Sequence, residues 1–219
     1  MKKTFLCLIT FALLLLIVPS ALALTVSLYA PANQGITDFK WSLDGNTINL
    51  YESWGTVGRG YLIFDGMDLG QPYVVVKHIW NNTGVDWNLF SNELLDPVGQ
   101  ENDRLYDDPI EPWVPGGFSH SNQNDNLWFA YGYPHTSTSF AGVFNDEMEG
   151  RDFIEYYNGL VSGLGGYEEE SYGLQNNTVD NEPFLLAQRP NEHSVVPEPG
   201  TLMLLGSGLF SLGLFRRKK

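Results

Sequence analysis

Phe39-Lys40-Trp41-Ser42-Leu43-Asp44-Gly45-Asn46-Thr47-Ile48-Asn49-Leu50 reads as two strands joined by a turn. Apolar and polar residues alternate on both sides of Asp44-Gly45, a preferred two-residue hairpin turn. With Asp44-Gly45 as the turn, Trp41 faces Ile48 and Phe39 faces Leu50. Lys40 with Asn49, and Ser42 with Thr47, then share the other face. A Gly45-Asn46 turn shifts the register by two and keeps the same faces. One side of this hairpin is therefore predicted to be buried whichever turn forms.

The same signal recurs outward in both directions. Thr25 to Ala30 alternates as a first strand. Gly60 to Asp65 and Pro72 to Trp80 follow, and Val74-Val75-Val76 suits a strand buried on both faces. Asn81-Asn82-Thr83-Gly84 is a turn. Val85, Trp87 and Leu89 then alternate with Asp86 and Asn88, which predicts an inward Trp87 and an outward Asp86. Leu127 to Tyr133 and Phe140 to Phe144 are further strands. Asp152 to Tyr157 suits a strand or a helix. Gly159 to Gly173 reads as a Gly-rich acidic loop, residues 96–126 as irregular, and Pro183 to Gln188 as a closing strand. Short strands without a sustained helical period predict an all-β fold, an antiparallel β-sandwich of Ig-like or jelly-roll-like form, over residues 24–188. Residues 189–196 read as a polar linker.

Both ends carry processing chemistry. Met1-Lys2-Lys3, the apolar run Phe5 to Val18, the break at Pro19-Ser20 and Ala21-Leu22-Ala23 read as a signal peptide over residues 1–23. Signal peptidase would cut between Ala23 and Leu24. The sole cysteine, Cys7, leaves with that peptide, so the exported domain must hold together without disulfides. At the other end, Pro197-Glu198-Pro199 fixes an extended, exposed segment that suits a protease cleft. Residues 201–215 then form an apolar helix of about 15 residues, roughly 22 Å against about 30 Å of hydrocarbon, enough for a transient span. Arg216, Arg217, Lys218 and Lys219 stop translocation and hold the end in the cytoplasm.

Val196-Pro197-Glu198-Pro199-Gly200-Thr201, the apolar run and the basic cluster resemble the PEP-CTERM sorting signal of bacterial surface proteins. That resemblance covers residues 196–219, of which 197–219 form the sorting segment. It implies recognition by an exosortase, an inner-membrane-anchored precursor, removal of the tail near Pro-Glu-Pro, and delivery to the cell surface or extracellular matrix. Lys77-His78-Ile79-Trp80-Asn81-Asn82-Thr83-Gly84-Val85-Asp86-Trp87 is also similar to a strand–turn–strand segment that recurs in the ectodomains of such proteins. That likeness implies a sandwich domain and carries no activity.

The chain has a formal net charge of −14. Lys2, Lys3 and the four terminal cations all lie in the removable ends, so the domain is more acidic still. This argues against nucleic acid and anionic lipid as partners and permits divalent cations, basic partners or neutral sugars. No Gly-x-Ser-x-Gly, His-Glu-x-x-His, phosphate loop or dinucleotide fingerprint is present. Gly117-Phe118-Ser119-His120-Ser121 lacks the closing glycine of a serine nucleophile elbow. His120, Asp125 and His135 flank one strand without metal-ligand spacing. No cofactor is required. Calcium is the one metal that the carboxylate-rich loop with Asp103, Asp107 and Asp108 suits, because it takes several oxygens on a flexible loop. Trp54, in Gly-rich sequence, and Trp113, between prolines, are candidates for stacking on sugar faces. The expectation is a non-enzymatic surface or matrix protein associated with exopolysaccharide or the envelope. A carbohydrate- or calcium-dependent adhesive module is its sharper form, and a secreted glycosidase-like hydrolase is the rival. Two carboxylates in one pocket would favour the hydrolase, and exposed rings on a flat face the binder.

Overall fold

The computed structural model describes residues 23–98, 112–121, 126–146, 151–178 and 181–192. The expected signal peptide body, the apolar helix 201–215 and the Asp103–Asp108 loop lie outside the described residues. Among those described, the regular elements are all strands: β1 (Thr25–Leu28), β2 (Ile36–Asp44), β3 (Thr47–Trp54), β4 (Gly60–Asp65), β5 (Tyr73–Asn81), β6 (Trp87–Pro97), β7 (Phe118–His120), β8 (Leu127–Trp128), β9 (Thr136–Ser137), β10 (Phe140–Asp146), β11 (Phe153–Val161), β12 (Gly166–Asn176) and β13 (Phe184–Pro190). No helix among them is long and apolar enough to cross a membrane.

Two sheets share these strands. The first runs β1-β4-β13-β6-β11-β10, with β7 on β6. The second runs β2-β3-β5-β12-β8, with β9 on β12. One core cluster draws on both: Leu62, Phe64, Phe90, Leu94, Tyr156 and Leu186 from the first, Ile48, Leu50, Trp54, Val75, Ile79 and Tyr172 from the second. The sheets therefore bury one face each against the other, in a sandwich-like arrangement. Leu24, the residue after the expected signal-peptide cut, is the first residue of that core.

The opening hairpin adopts the Gly45-Asn46 turn. Asp44 pairs with Thr47, Leu43 with Ile48 and Trp41 with Leu50. Gly45 has φ of 58°, a left-handed conformation that glycine supplies at the first turn position without strain. The faces are preserved: Ile48 and Leu50 are buried, and Phe39 and Trp41 pack against the core from a half-buried position. Trp87 is fully buried and Asp86 exposed, as the alternation predicts, whereas Val85 is exposed within the turn.

Four expectations are corrected. The sheets are not wholly antiparallel, because β3 and β5 run parallel. The intervening β4 belongs to the opposite sheet, so the chain re-enters in the direction it left. Val74-Val75-Val76 is not buried on both faces; β5 alternates, with Val74 and Val76 half-buried. Much of the 159–173 segment is not loop. It holds the end of β11 and the start of β12, which pairs with β5 from Gly166↔Asn81 to Leu174↔Tyr73. Nor is 189–196 simply a linker. Every residue of β13, Arg189 and Pro190 included, is buried, and Ser91 Oγ donates to the Glu192 carbonyl at 2.7 Å.

Both Asn-x-Thr sequences close turns by one device. Asn81 Oδ1 accepts from the Thr83 amide at 3.1 Å and the Thr83 hydroxyl at 2.7 Å. Asn176 Oδ1 accepts from the Thr178 amide at 2.8 Å and hydroxyl at 2.7 Å. The asparagine occupies the position of a backbone group in a tight turn. Both asparagine side chains are buried, and Asn81 Nδ2 is committed to the Val85 and Val161 carbonyls. The motif is thus a turn-former in this chain.

Candidate functional site

Among the described residues, the outer face of the second sheet carries the richest array of exposed rings. Side chains alternate across a strand, so residues between the core positions of β2, β3, β5 and β12 all point to this face. Strand register lines them up in two rows. Lys40 pairs with Tyr51, Tyr51 with His78, and His78 with Glu169; Asp38 pairs with Ser53, Ser53 with Trp80, and Trp80 with Tyr167. Each row crosses four strands, about 14 Å at ~4.8 Å per strand.

Four rings from β3, β5 and β12 cluster in this grid. Tyr51 and His78 stack at 4.7 Å between centroids with 12° between planes. His78 and Tyr167 lie near-parallel at 6.3 Å, and Trp80 tilts against Tyr167 at 5.3 Å. Tyr51, Trp80 and Tyr167 are 38, 36 and 41 % exposed. Beside them Asp38, Lys40, Tyr51, Ser53, Trp80 and Asn82 line a shallow cleft of about 450 Å³. A second concavity on the first sheet, about 570 Å³, brings only the rings of Phe144 and Tyr157.

The rings are held in place by a chain of hydrogen bonds. Tyr167 Oη donates to Glu169 Oε2 at 2.9 Å and meets His78 Nδ1 at 2.8 Å. A hydroxyl has one proton and the carboxylate has none, so His78 Nδ1 carries the proton and donates to Tyr167. Partial burial, then the hydrogen bond and charge of Glu169, push the Tyr167 hydroxyl up to about 12. It stays neutral in ordinary buffers. The face thus offers fixed rings with Lys40 at one end and carboxylates at opposite corners.

The residues singled out from sequence lie elsewhere. Trp54 is fully buried, donates from Nε1 to Glu52 Oε2 at 3.1 Å, and packs edge-on against Trp87. Gly35 and Gly60 let the chain pass over it, since a Cβ on either would strike its ring. That ring cannot stack on a ligand. Trp113 is half-buried on the outer side of the first sheet, with the Arg189 guanidinium 4.1 Å from its ring centroid and the Arg59 guanidinium at 5.6 Å. Its carbonyl accepts from Tyr61 Oη at 2.7 Å. The ring is engaged in closing over the buried Glu93.

Glu93 organises that second polar cluster. Arg189 Nη2 donates to its Oε2, and His120 Nδ1 lies 2.6 Å from its Oε1. Burial alone would raise this carboxyl, but Arg189, His120 and Arg151 outweigh burial and hold it below the usual range. His120 is spent on Glu93, and its neighbour Ser119 points to the other side of β7, so the two form no nucleophile–base pair. Among the described residues no group of three or more His, Cys, Asp or Glu side chains is placed to hold a metal; Asp125 lies outside them.

The stacking residues Tyr51, His78, Trp80 and Tyr167 were not evident from sequence. The available signal was parity, since His78 and Trp80 alternate with Val75, Lys77 and Ile79 and Tyr51 follows the inward Leu50, but reading Val74-Val75-Val76 as buried on both faces masked it. Tyr167 fell in the stretch read as loop, which hid the fourth ring.

Comparison with known proteins adds one match. The PEP-CTERM protein-sorting motif matches residues 195–219. No curated protein and no solved structure matches the chain.

Proposed function

We propose that this chain, which carries a PEP-CTERM protein-sorting motif at its C-terminus, is an exported binding protein of the cell surface or extracellular matrix. Signal peptidase would release residues 24 onward. The apolar run 201–215 would hold the precursor in the inner membrane, and an exosortase would process it at Pro197-Glu198-Pro199. The two-sheet domain then acts non-enzymatically on exopolysaccharide. The observation that supports this role is the two-row grid on the second sheet. Ring C–H groups of a sugar pack on aromatic faces, and the surrounding Lys40, Asp38, Ser53, Asn82 and Glu169 supply partners for its hydroxyls. The acidic surface disfavours polyanions, so the ligand class is a neutral glycan.

A hydrolytic role for this face is disfavoured by its carboxylates. Asp38 and Glu169 stand at opposite corners, three strand spacings and two residues apart, which puts their Cα atoms about 16 Å from each other. A glycosidase pair works at roughly 5–9.5 Å. Calcium binding through Asp103, Asp107 and Asp108 is a separate proposal, decided by titration calorimetry with Asp107→Asn and Asp108→Asn against the wild type.

The test of the glycan reading is affinity electrophoresis in gels containing neutral polysaccharides, backed by a glycan array. Wild-type protein should be retarded by at least one neutral glycan. Trp80→Ala with Tyr167→Ala should abolish the retardation while far-UV circular dichroism is unchanged. Retardation that survives in the folded double variant would overturn the assignment of this face.

A further inference from the structure

Four polar side chains meet inside the core, where an all-apolar interior would be expected. Lys77 sits on β5 between Val75 and Ile79, Asn92 on β6 between Phe90 and Leu94, and Glu52 on β3 between Leu50 and Trp54; all six flanking residues belong to the core. Glu170, on β12, is the ladder partner of Lys77. None of the four has exposed surface. Burying charge this way is costly unless every group is satisfied. Here Glu52 Oε1 and Glu170 Oε1 have no hydrogen-bond partner.

The geometry is that of reactants in contact. Lys77 Nζ reaches across from the second sheet and donates to Asn92 Oδ1, on the first sheet, at 2.8 Å. The carbon that bears that oxygen is one carbonyl bond away. Glu170 Oε2 lies 3.3 Å from Lys77 Nζ and accepts from Asn92 Nδ2 at 2.9 Å. One carboxylate oxygen therefore touches both the amine and the amide nitrogen that would leave. Glu52 Oε1 stands 4.0 Å from the amine on a further strand, and the Phe90 ring lies 4.5 Å from it.

We propose that Lys77 and Asn92 join in an intramolecular amide bond between the two sheets, with Glu170 as the catalytic proton carrier. The ammonium of Lys77 first passes a proton to the Glu170 carboxylate. The free amine attacks Asn92 Cγ, forming the Nζ–Cγ bond. The excess proton on the attacking nitrogen moves to Nδ2, the Cγ–Nδ2 bond breaks, and ammonia leaves. The products are a secondary amide, ammonia and a protonated Glu170, so atoms and charge balance without oxidant or co-reactant. Burial raises the Glu170 carboxyl to about 7, with Lys77 lowering and Glu168 raising it, which suits a group that must take up and hold a proton. Fixed contact between amine and amide replaces an encounter in solution, the advantage that accelerates intramolecular reactions. The dry core excludes the competing water. The product also removes a buried charge pair and ties the sheets covalently in a domain that has no cysteine.

Mass spectrometry decides it. The full wild-type chain is purified, denatured and digested with trypsin. The peptide spanning Lys77 and Asn92 should be lighter than its sequence by one ammonia and uncleaved after Lys77. Its fragment ions should show residues 77–92 closed as a ring. Folded Glu170→Gln and Lys77→Arg variants should show the full mass. The wild-type result stands by itself if a variant fails to fold. A wild-type peptide of full mass, cut after Lys77, overturns the proposal. So does an ammonia loss with Lys77 still cleavable, which would mark a succinimide at Asn92. A bond that still forms in Glu170→Gln would overturn the role given to Glu170.

Discussion

Replacing Arg189 with methionine isolates what the Glu93 cluster contributes to stability. Arg189 is 2 % exposed and Glu93 fully buried, and methionine keeps most of the stem volume while deleting the guanidinium. Removing one partner of a buried ion pair costs about 3–5 kcal/mol, because the other charge is stranded. His120 at 2.6 Å and Arg151 at 4.0 Å remain to offset part of that. Loss of the guanidinium over Trp113 adds about 0.5–2 kcal/mol. The net expectation is about 3–4 kcal/mol at pH 7. A domain of this size shifts by about 2–4 °C per kcal/mol, so Tm should fall by roughly 6–16 °C. The pH dependence carries a second signature. Glu93 has a lowered pKa in the folded state, so its stabilisation is present above the unfolded carboxyl value and is lost as pH falls through the folded one. Urea titrations of the wild type from pH 7 to 3 should show that loss, and Arg189→Met should flatten it. Adding Glu93→Gln to Arg189→Met should restore much of the stability, since the stranded charge goes too. A double variant less stable than Arg189→Met alone, or a single variant within 0.5 kcal/mol of wild type, would refute the stranded-charge account.

Trp87→Ala removes a fully buried ring that touches Trp54 and Phe90, and should cost about 3–5 kcal/mol by chemical denaturation. Gly163→Ala places a Cβ 2.3 Å from the Val85 backbone nitrogen, so the β5–β6 turn must move; a loss of about 1–3 kcal/mol is expected in the same assay. Asn81→Ala strands the Val161 carbonyl in the interior and unties Thr83, and should cost about 1–3 kcal/mol, with hydrogen exchange rising first at residues 82–85. A chain of residues 24–192 holds the whole described core and should show a cooperative thermal transition with a β-type far-UV spectrum.

Much of the fold was legible because period-two alternation is local. Phe39 to Leu50 declared a hairpin and its faces, though not its register: Asp44-Gly45 and Gly45-Asn46 satisfy the same pattern, and in the structure Asp44 pairs with Thr47. Trp87 and Asp86 separated correctly for the same reason. β12 was missed because Tyr167 to Glu170 looks solvated, and only tertiary partners make it a strand: Lys77 opposite Glu170, and the Ser137 and Thr138 hydroxyls that meet Glu168. Glycine-rich sequence around Trp54 suggests exposure, whereas the indole is buried and Gly35 and Gly60 leave room for it. The stacking face escaped because it is assembled from four strands, none of which carries more than two of its rings. The tail needed no fold at all, since its three parts are contiguous.

The position of β13 sets how the domain would bear mechanical load. The strand nearest the sorting tail lies inside the first sheet, hydrogen-bonded to β4 over Phe184 to Gln188 and to β6 over Leu185 to Pro190. A pull on the C-terminus along this strand shears two ladders at once, instead of unzipping one edge bond by bond. Asn92 is the ladder neighbour of Gln188 on that strand. Across the core it meets Lys77, which adjoins His78 on the aromatic face. Tension between a tethered tail and a polymer gripped at that face would therefore run through a few short steps in the middle of the molecule, leaving its edges and loops slack.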